Sequence, residues 1–363
     1  MDGPAKELAK FDQIDFMQPI NTALCSFGMS GWVFHAPFIT TNPGFNFYGV
    51  WERTKNLAQE KYPGVKTFRS LEEMLADKNI ELVVVNTPSV THYDFAKQVI
   101  LAGKHLIVEK PFTPTVAQAQ ELIDLAKKKN VKLSVYQNRR YDSDYKTVKK
   151  ILDEGWLGKI VDAAIHYDRY VPALSYKVHK ETPTTGVGGL YDLGSHLIDQ
   201  ALQLFGMPLA VFADITINRP GSKVDDYFDL KLFYPSHRVT LKSSYYVREA
   251  LPGYQLHGTL GSFIKHKTDV QETDLQAHKK PGGTDWGIEP DSQKGLLHTE
   301  KDGKVIKEYV QSLQGNYADY YNGIYHSIRN NAAVPVSGEE GMKVIQIIEA
   351  AIKSNKEKKV IEL

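Results

Sequence analysis

The chain has 363 residues, 42% hydrophobic and 24% charged, an ordinary globular composition with length for about two domains of roughly 150 residues. A formal net charge of +1 argues against a nucleic-acid or membrane-surface partner, and no run approaches the ~18 apolar residues of a membrane-spanning helix. The single cysteine, Cys25, excludes an internal disulfide and sits in an apolar run, where it reads as a small buried hydrophobe.

The opening segment, MDGPAKELAKFDQIDFMQPI, is too polar for the apolar stretch of a secretory signal, so a cytoplasmic protein is expected. The residues before Met17 suggest no role beyond a disordered or appended extension. Strand and helix signals then alternate to about residue 140. INTALCSF, FNFYGVW, ELVVVNTP, HLIVEKP and KLSVYQN are short apolar runs, the continuous kind that suits a sheet covered on both faces. Between them, Ser70 and Glu73 form a capping-box pattern, residues 90–102 end at Gly103, and Thr113-Pro114 offers an N-cap followed by proline. This repetition predicts a doubly wound parallel sheet. The first strand runs into SFGMSGWVFHAPF, where Ser26, Gly28 and Gly31 fit a dinucleotide-binding G-x-G-x-x-G with serine in the first place. Glu52, 21 residues beyond Gly31, stands where an acidic residue takes ribose hydroxyls, while Arg53 beside it suits a 2′-phosphate. The residues lean to NAD and leave NADP open.

After Arg140 the pattern changes. A helix is expected over about Ser143–Asp153, followed by IVDAAIHYDRYV and then by GGLYDLGSHLIDQ, which puts Asp192, His196 and Asp199 on one helix face. VFADITIN, DYFDLKLFY, RVTLKSSYYV, YQLHG and SFIKHK follow with few helices between, predicting an antiparallel sheet in an α+β domain. A last helix is expected over about Glu339–Lys353. Spacing alone slightly favours a structural pair for Asp192 and His196, and a strand-end surface position for Lys110. The twelve histidines show no metal-ligand spacing, so no metal site is expected.

FGMSGWVFHAPF, NTPSVTHYDFAKQVILAGKHLIVEKP, SVYQNRRYDSDY and GGLYDLGSHLIDQALQLFG together resemble the Gfo/Idh/MocA family of NAD(P)-dependent oxidoreductases, over the chain from about Ile20 onward. VFHAPF, YQNRRYD, YDLGSHLIDQ and SGEEGMKVIQIIEAA are most similar to its scyllo-inositol dehydrogenase subgroup. The resemblance implies a Rossmann domain at 18–140. After it comes a substrate-binding and oligomerisation α+β domain at 141–363, with a large, mostly antiparallel open-faced sheet. It implies cofactor contacts from Phe27, Gly28, Met29, Ser30, Gly31, Glu52, Arg53, Thr87, Pro88, His92, Glu109 and Lys110. Lys110, Asp192 and His196 match the catalytic positions. Ser26 departs from the glycine of many members, and similar NADP-using members carry a small residue at the Glu52 position. Arg139 and Arg169 are candidates either for substrate hydroxyls or for carboxylate pairing, and Tyr191 and Trp286 for pocket walls.

Oxidising a secondary alcohol requires a proton acceptor and a group that steadies the developing alkoxide. His196 suits the first role, Lys110 the second, and Asp192 that of a substrate or proton-network ligand; Lys110 and His196 could exchange roles. The expected substrate is a cyclic polyol or sugar, inositol-like, with a homodimer or homotetramer as the assembly. The alternatives are a family glycosidase that retains its NAD and a non-catalytic, cofactor-binding regulatory module.

Overall fold

The computed structural model describes residues 18–363, so the expectation for the segment before Met17 lies outside the described residues. The first sheet contains β1 (Ile20–Leu24), β2 (Phe45–Trp51), β3 (Lys66–Phe68), β4 (Leu82–Val85), β5 (His105–Glu109) and β6 (Leu133–Tyr136), in the order β3-β2-β1-β4-β5-β6. Every neighbouring pair is parallel. Leu82–Val85 and Leu133–Tyr136 are buried at every position, as strands covered on both faces require. The order reverses between β1 and β4, and the crevice beyond their carboxyl ends is where such sheets bind ligands. β3 has only three residues, too few for a periodic signal.

Local signals were partly realised. Ser70 Oγ accepts from Glu73 N, but Glu73 reaches back to Arg69 N, so the reciprocal box is displaced by one residue. The helix Val116–Lys129 is capped by Thr115, two residues beyond the expected Thr113. The complete capping box is Ser337 with Glu340, opening the helix Gly338–Glu357. Cys25 is buried, and burial pushes its thiol up, leaving it inert.

The second sheet contains β7 (Ile160–His166), β8 (Ala210–Thr216), β9 (Tyr227–Phe233), β10 (Arg238–Ser244), β11 (Tyr254–Gly258), β12 (Gly261–Lys265), β13 (Gly295–Lys301), β14 (Lys304–Val310) and β15 (Ile361–Glu362). Their order is β14-β13-β12-β11-β7-β10-β9-β8-β15. Only β7 and β10 pair in parallel; the others are antiparallel. Burial alternates along β9, so one face is covered and one is open. The helices Ser195–Phe205 and Gly338–Glu357 lie on the covered face. Phe212, Lys231, Thr240, Ala164, Gln255, Ile264, Leu296 and Tyr309 form one cross-strand row on the open face.

The end of the chain returns to the first sheet. The helix Ala318–Arg329 buries Tyr320 and Tyr321 against Tyr136 and Phe38, while Arg329 pairs with Glu81 at 2.7 Å. The helix Gly338–Glu357 packs on Val116–Lys129 as well as on β8. Among the described residues no helix is long and apolar enough to cross a membrane.

Candidate active site

The loop after β1 is shaped by what surrounds it. A side chain at Gly31 would bring Cβ to 2.5 Å from Ser26 O, so only glycine lets the helical segment Ser30–His35 lie against the strand end. At Gly28 a Cβ would meet nothing within 4 Å, which leaves the top of the loop open for a pyrophosphate. Ser26 donates its hydroxyl to Asn86 O, and its N–H to Asn86 Oδ1, so the serine ties this loop to the one after β4. Phe27 is buried against Phe47 and Tyr62, whereas Met29 is exposed. Ser30 Oγ donates to Glu109 Oε1 at 2.6 Å. A neighbouring Thr87 hydroxyl bonds Thr91, Pro88 is exposed, and the buried His92 ring lies between the carbonyls of Thr87 and Pro111, bracing both loops. These residues fit a dinucleotide.

Glu52 is engaged by the backbone that follows it. Its two carboxylate oxygens accept from Leu57 N at 3.2 Å and Ala58 N at 3.0 Å, capping the short helix Leu57–Lys61. Each oxygen accepts one N–H and keeps a second lone pair. Arg53 is exposed, and no hydrogen bond or ion pair joins it to the described residues.

Lys110 directly follows β5, and a cis peptide bond joins it to Pro111. Its backbone N–H donates to Glu109 Oε2, and Glu109 Oε1 also meets His35 Nε2 at 3.0 Å. Burial disfavours ionised Glu109, but His35, Ser30 and Lys110 outweigh it and hold the carboxyl below its ordinary range. Lys110 Nζ donates to Asp192 Oδ1 at 2.6 Å and to Asp192 O at 2.8 Å, across 82 positions of sequence. This pair joins the carboxyl end of the first sheet to the helix lying on the second.

That helix begins with a wide π-type turn, Leu190–Gly194, and continues as Ser195–Phe205. Its entry explains the glycine pair before it. Gly188 has φ +118°, and a Cβ there would collide with Asp225 Oδ1. Asp225 Oδ2 accepts from Leu190 N at 2.6 Å, and Asp225 O from Gly189 N. Burial raises the Asp225 carboxyl to about 6, against the pull of those N–H groups. The sequence reading missed this residue; the Gly188-Gly189 pair was its only signal.

His196 is 5% exposed. Its Nδ1 is buried without a partner, and its ring lies 6.4 Å from that of Tyr167. Burial, then Lys110 and Arg139, hold its pKa well below the usual imidazole value, so the ring is neutral near pH 7. Asp192 is the opposite case. Burial works against its charge, but Lys110, Lys180 and Arg169 outweigh burial and hold it well below the carboxylate range. Lys180 Nζ stands 3.2 Å from Asp192 Oδ2.

The remaining candidates separate. Arg139 is buried among Asp142, Asp269, Glu272 and the Tyr317 hydroxyl, a structural network. Arg169 has no carboxylate partner among the described residues and donates to the Tyr167 hydroxyl. Tyr191 is buried, with its hydroxyl on Pro114 O. Trp286 packs in the interior against Phe38 and donates to Gln271 Oε1. Asp199 is held by Arg140 through Nε and Nη2, and Arg140 also reaches Glu340, so Asp199 anchors its helix. Lys180, on the single helical turn Val178–Glu181, and Tyr167 and Lys267, on irregular segments, went unnoticed in the sequence because no motif marks them. Among the described residues no cluster suited to a metal ion occurs.

Comparison with known proteins agrees with this geometry. Residues 20–137 match the GFO_IDH_MocA model, an oxidoreductase family's NAD-binding Rossmann fold, and residues 149–363 match that family's C-terminal alpha/beta domain. The chain is 40% identical to the scyllo-inositol 2-dehydrogenase (NADP(+)) IolW of Bacillus subtilis, over 95% of this chain and 96% of that protein. A solved oxidoreductase of Bacteroides fragilis superposes with a TM-score of 0.87 at 47% identity, covering 95% of this chain and 100% of that one. The yvaA oxidoreductase structure of Bacillus subtilis gives 0.92 at 40% identity, covering 95% and 99%. With both halves matched, and with Lys110 in contact with Asp192 and close to His196, the chain belongs to the Gfo/Idh/MocA family of NAD(P)-dependent oxidoreductases.

Proposed function

We propose that the protein is a dehydrogenase acting on a secondary alcohol of a cyclic polyol or sugar, with NADP(H) as the preferred coenzyme. The observation that carries the reading is the approach of Lys110, from the end of β5, to Asp192, one helical turn before His196. IolW, named for scyllo-inositol and NADP(+), supports the substrate class and the coenzyme.

The loop Phe27–Gly31 would hold the pyrophosphate, with Glu109 and Lys110 at the nicotinamide end. When bound, the coenzyme supplies the hydride acceptor or donor. The side chains manage the proton. Neutral His196 accepts it through Nε2, the ring nitrogen that is not sealed in the interior. Lys110 directs two of its three N–H bonds at Asp192 and keeps one for the substrate oxygen, whose developing charge it stabilises. Asp192 keeps the ammonium in place.

Coenzyme preference follows from Glu52 and Arg53. The Glu52 carboxylate already accepts two backbone N–H groups, and the exposed Arg53 beside it would take a 2′-phosphate. Purified enzyme with inositols and aldoses should generate nicotinamide absorbance, more efficiently with NADP+ than NAD+. Arg53→Ala should raise KM for NADP+ by ~10-fold or more and leave that for NAD+ nearly unchanged. Absence of reduced coenzyme with every polyol and sugar, neutral or acidic, would defeat the dehydrogenase reading. Equal KM changes for both coenzymes would defeat the Arg53 assignment.

Asp225 yields a pH expectation. Its folded value of about 6 exceeds the ordinary 3.8, so the folded chain binds this proton more tightly than the unfolded chain. Stability from this group is therefore full below about 3.8 and is lost as pH rises through about 6. Asp225→Asn keeps an acceptor for Leu190 N but cannot ionise. Urea unfolding of both proteins should show the variant gaining on the parent across that interval; a constant difference would contradict the assignment.

The open row from Phe212 to Tyr309 supports assembly of two or four copies through this sheet face.

A further inference from the structure

The charges around Asp192 do not balance. Lys110 and Lys180 both contact its carboxylate, at 2.6 and 3.2 Å, and Arg169 is close enough to bias its ionisation. Three cations thus share one carboxylate. The other acidic groups nearby are committed elsewhere. Asp168 accepts from Ser244 N and faces His166, Glu181 pairs with Arg219, and Asp225 caps the turn at Leu190. Arg139 and Lys267, the other cations that bias His196, are surrounded by Asp142, Asp144, Asp269 and Glu272.

Arg169 is the exception. Its guanidinium carbon lies 4.9 Å from the centre of the Tyr167 ring, and Nη2 donates to the Tyr167 hydroxyl at 3.2 Å. No carboxylate lies within ion-pair distance of it among the described residues. The Tyr167 ring in turn neighbours His196, whose Nδ1 is buried and unpartnered. The guanidinium is therefore held on a rigid aromatic support beside the proton-transfer group, with part of its donor fork unused. A half-buried guanidinium without an anion is costly to keep unless a ligand completes it. Burial, then Lys180 and Lys177, hold the His179 imidazole toward its neutral form, and Lys177 adds a further positive charge on the same segment.

We infer that the substrate carries an anionic group, a carboxylate or a phosphate, bound by Arg169 and Lys180 while its carbinol faces His196 and Lys110. The inference rests on the dehydrogenase reading and narrows its substrate from polyols in general to acidic ones. A planar guanidinium can grip either oxyanion through two parallel N–H bonds.

The test is calorimetric binding to enzyme loaded with NADPH, comparing glucose, glucuronate and glucose 6-phosphate, each also assayed for turnover with NADP+. At least one acidic sugar should bind ~10-fold or more tightly than glucose, and the gap should shrink with added salt. The gap should close in Arg169→Met and narrow in Lys180→Met. The stronger of the two acids distinguishes carboxylate from phosphate. Equal binding of glucose and both acids, no binding of any of the three, or a preference that survives R169M would overturn the inference. Turnover of neutral polyols would leave the dehydrogenase reading standing even then. Acid-selective binding without coenzyme reduction by any sugar would uphold the anion site and sink the dehydrogenase reading.

Discussion

Replacing His196 by alanine should lower kcat by ~10²-fold or more while NADPH affinity stays within a few-fold of the parent. The ring stands on the helix over the second sheet, apart from the loop Phe27–Gly31, so its loss leaves the coenzyme cradle intact. Burial and neighbouring cations hold the imidazole neutral, which gives a second readout. A base whose pKa lies well below the ordinary ~6.5 places the acid limb of the kcat/KM profile below that value. Protonation disables it, so activity falls as pH drops through that depressed value and is flat in this group above it. An acid limb at or above the ordinary imidazole value, or full turnover in His196→Ala, would remove His196 from the proton-transfer role.

Lys110→Met should cost a further large factor, ~10²–10³ in kcat, because the ammonium is the cation aimed at the substrate oxygen. Methionine keeps most of the apolar stem, so packing against the loop changes little. The charge balance of the cleft changes more. Asp192 loses its nearest partner, and Lys180 and Arg169 become its only compensation. Thermal stability and coenzyme binding report on folding, and kcat reports on chemistry. A variant with normal kcat and weakened coenzyme binding would restrict Lys110 to holding the nicotinamide end. Lys110→Arg should rescue poorly, since a planar guanidinium cannot place one N–H on substrate and two on Asp192 O and Oδ1 in the same geometry.

Much of the architecture was legible because burial writes itself into apolar runs. Leu82–Val85 had no polar residue to interrupt it, and the helix Ser143–Asp153 fell where its periodicity placed it. Short or exposed strands were not legible: β3 has three residues, and β14 is exposed at five of its seven positions, Lys304, Lys307 and Glu308 among them. At the site, resemblance pointed to Lys110, Asp192 and His196, and the structure brings them together. Side-chain direction was the missing information. Nothing in the string of letters says that Glu52 turns back to cap a helix, or that Arg139 faces carboxylates while Arg169 faces a phenol. Those outcomes depend on partners many residues away. Asp225 illustrates the same limit, since its effect on the site helix passes through Gly188, 37 residues earlier in sequence.

The returning helix Ala318–Arg329 decides how separable the coenzyme half is. Tyr320 and Tyr321 cover Tyr136, Phe38 and Phe45, all nearly or fully removed from solvent in the whole chain. A fragment ending near residue 140 would bare that aromatic surface, and the Ser134–Ser337 bridge would also be missing. The nucleotide fold is thus finished by the last fifth of the polypeptide. During synthesis, the first sheet must wait for nearly the entire chain before one of its faces is sealed.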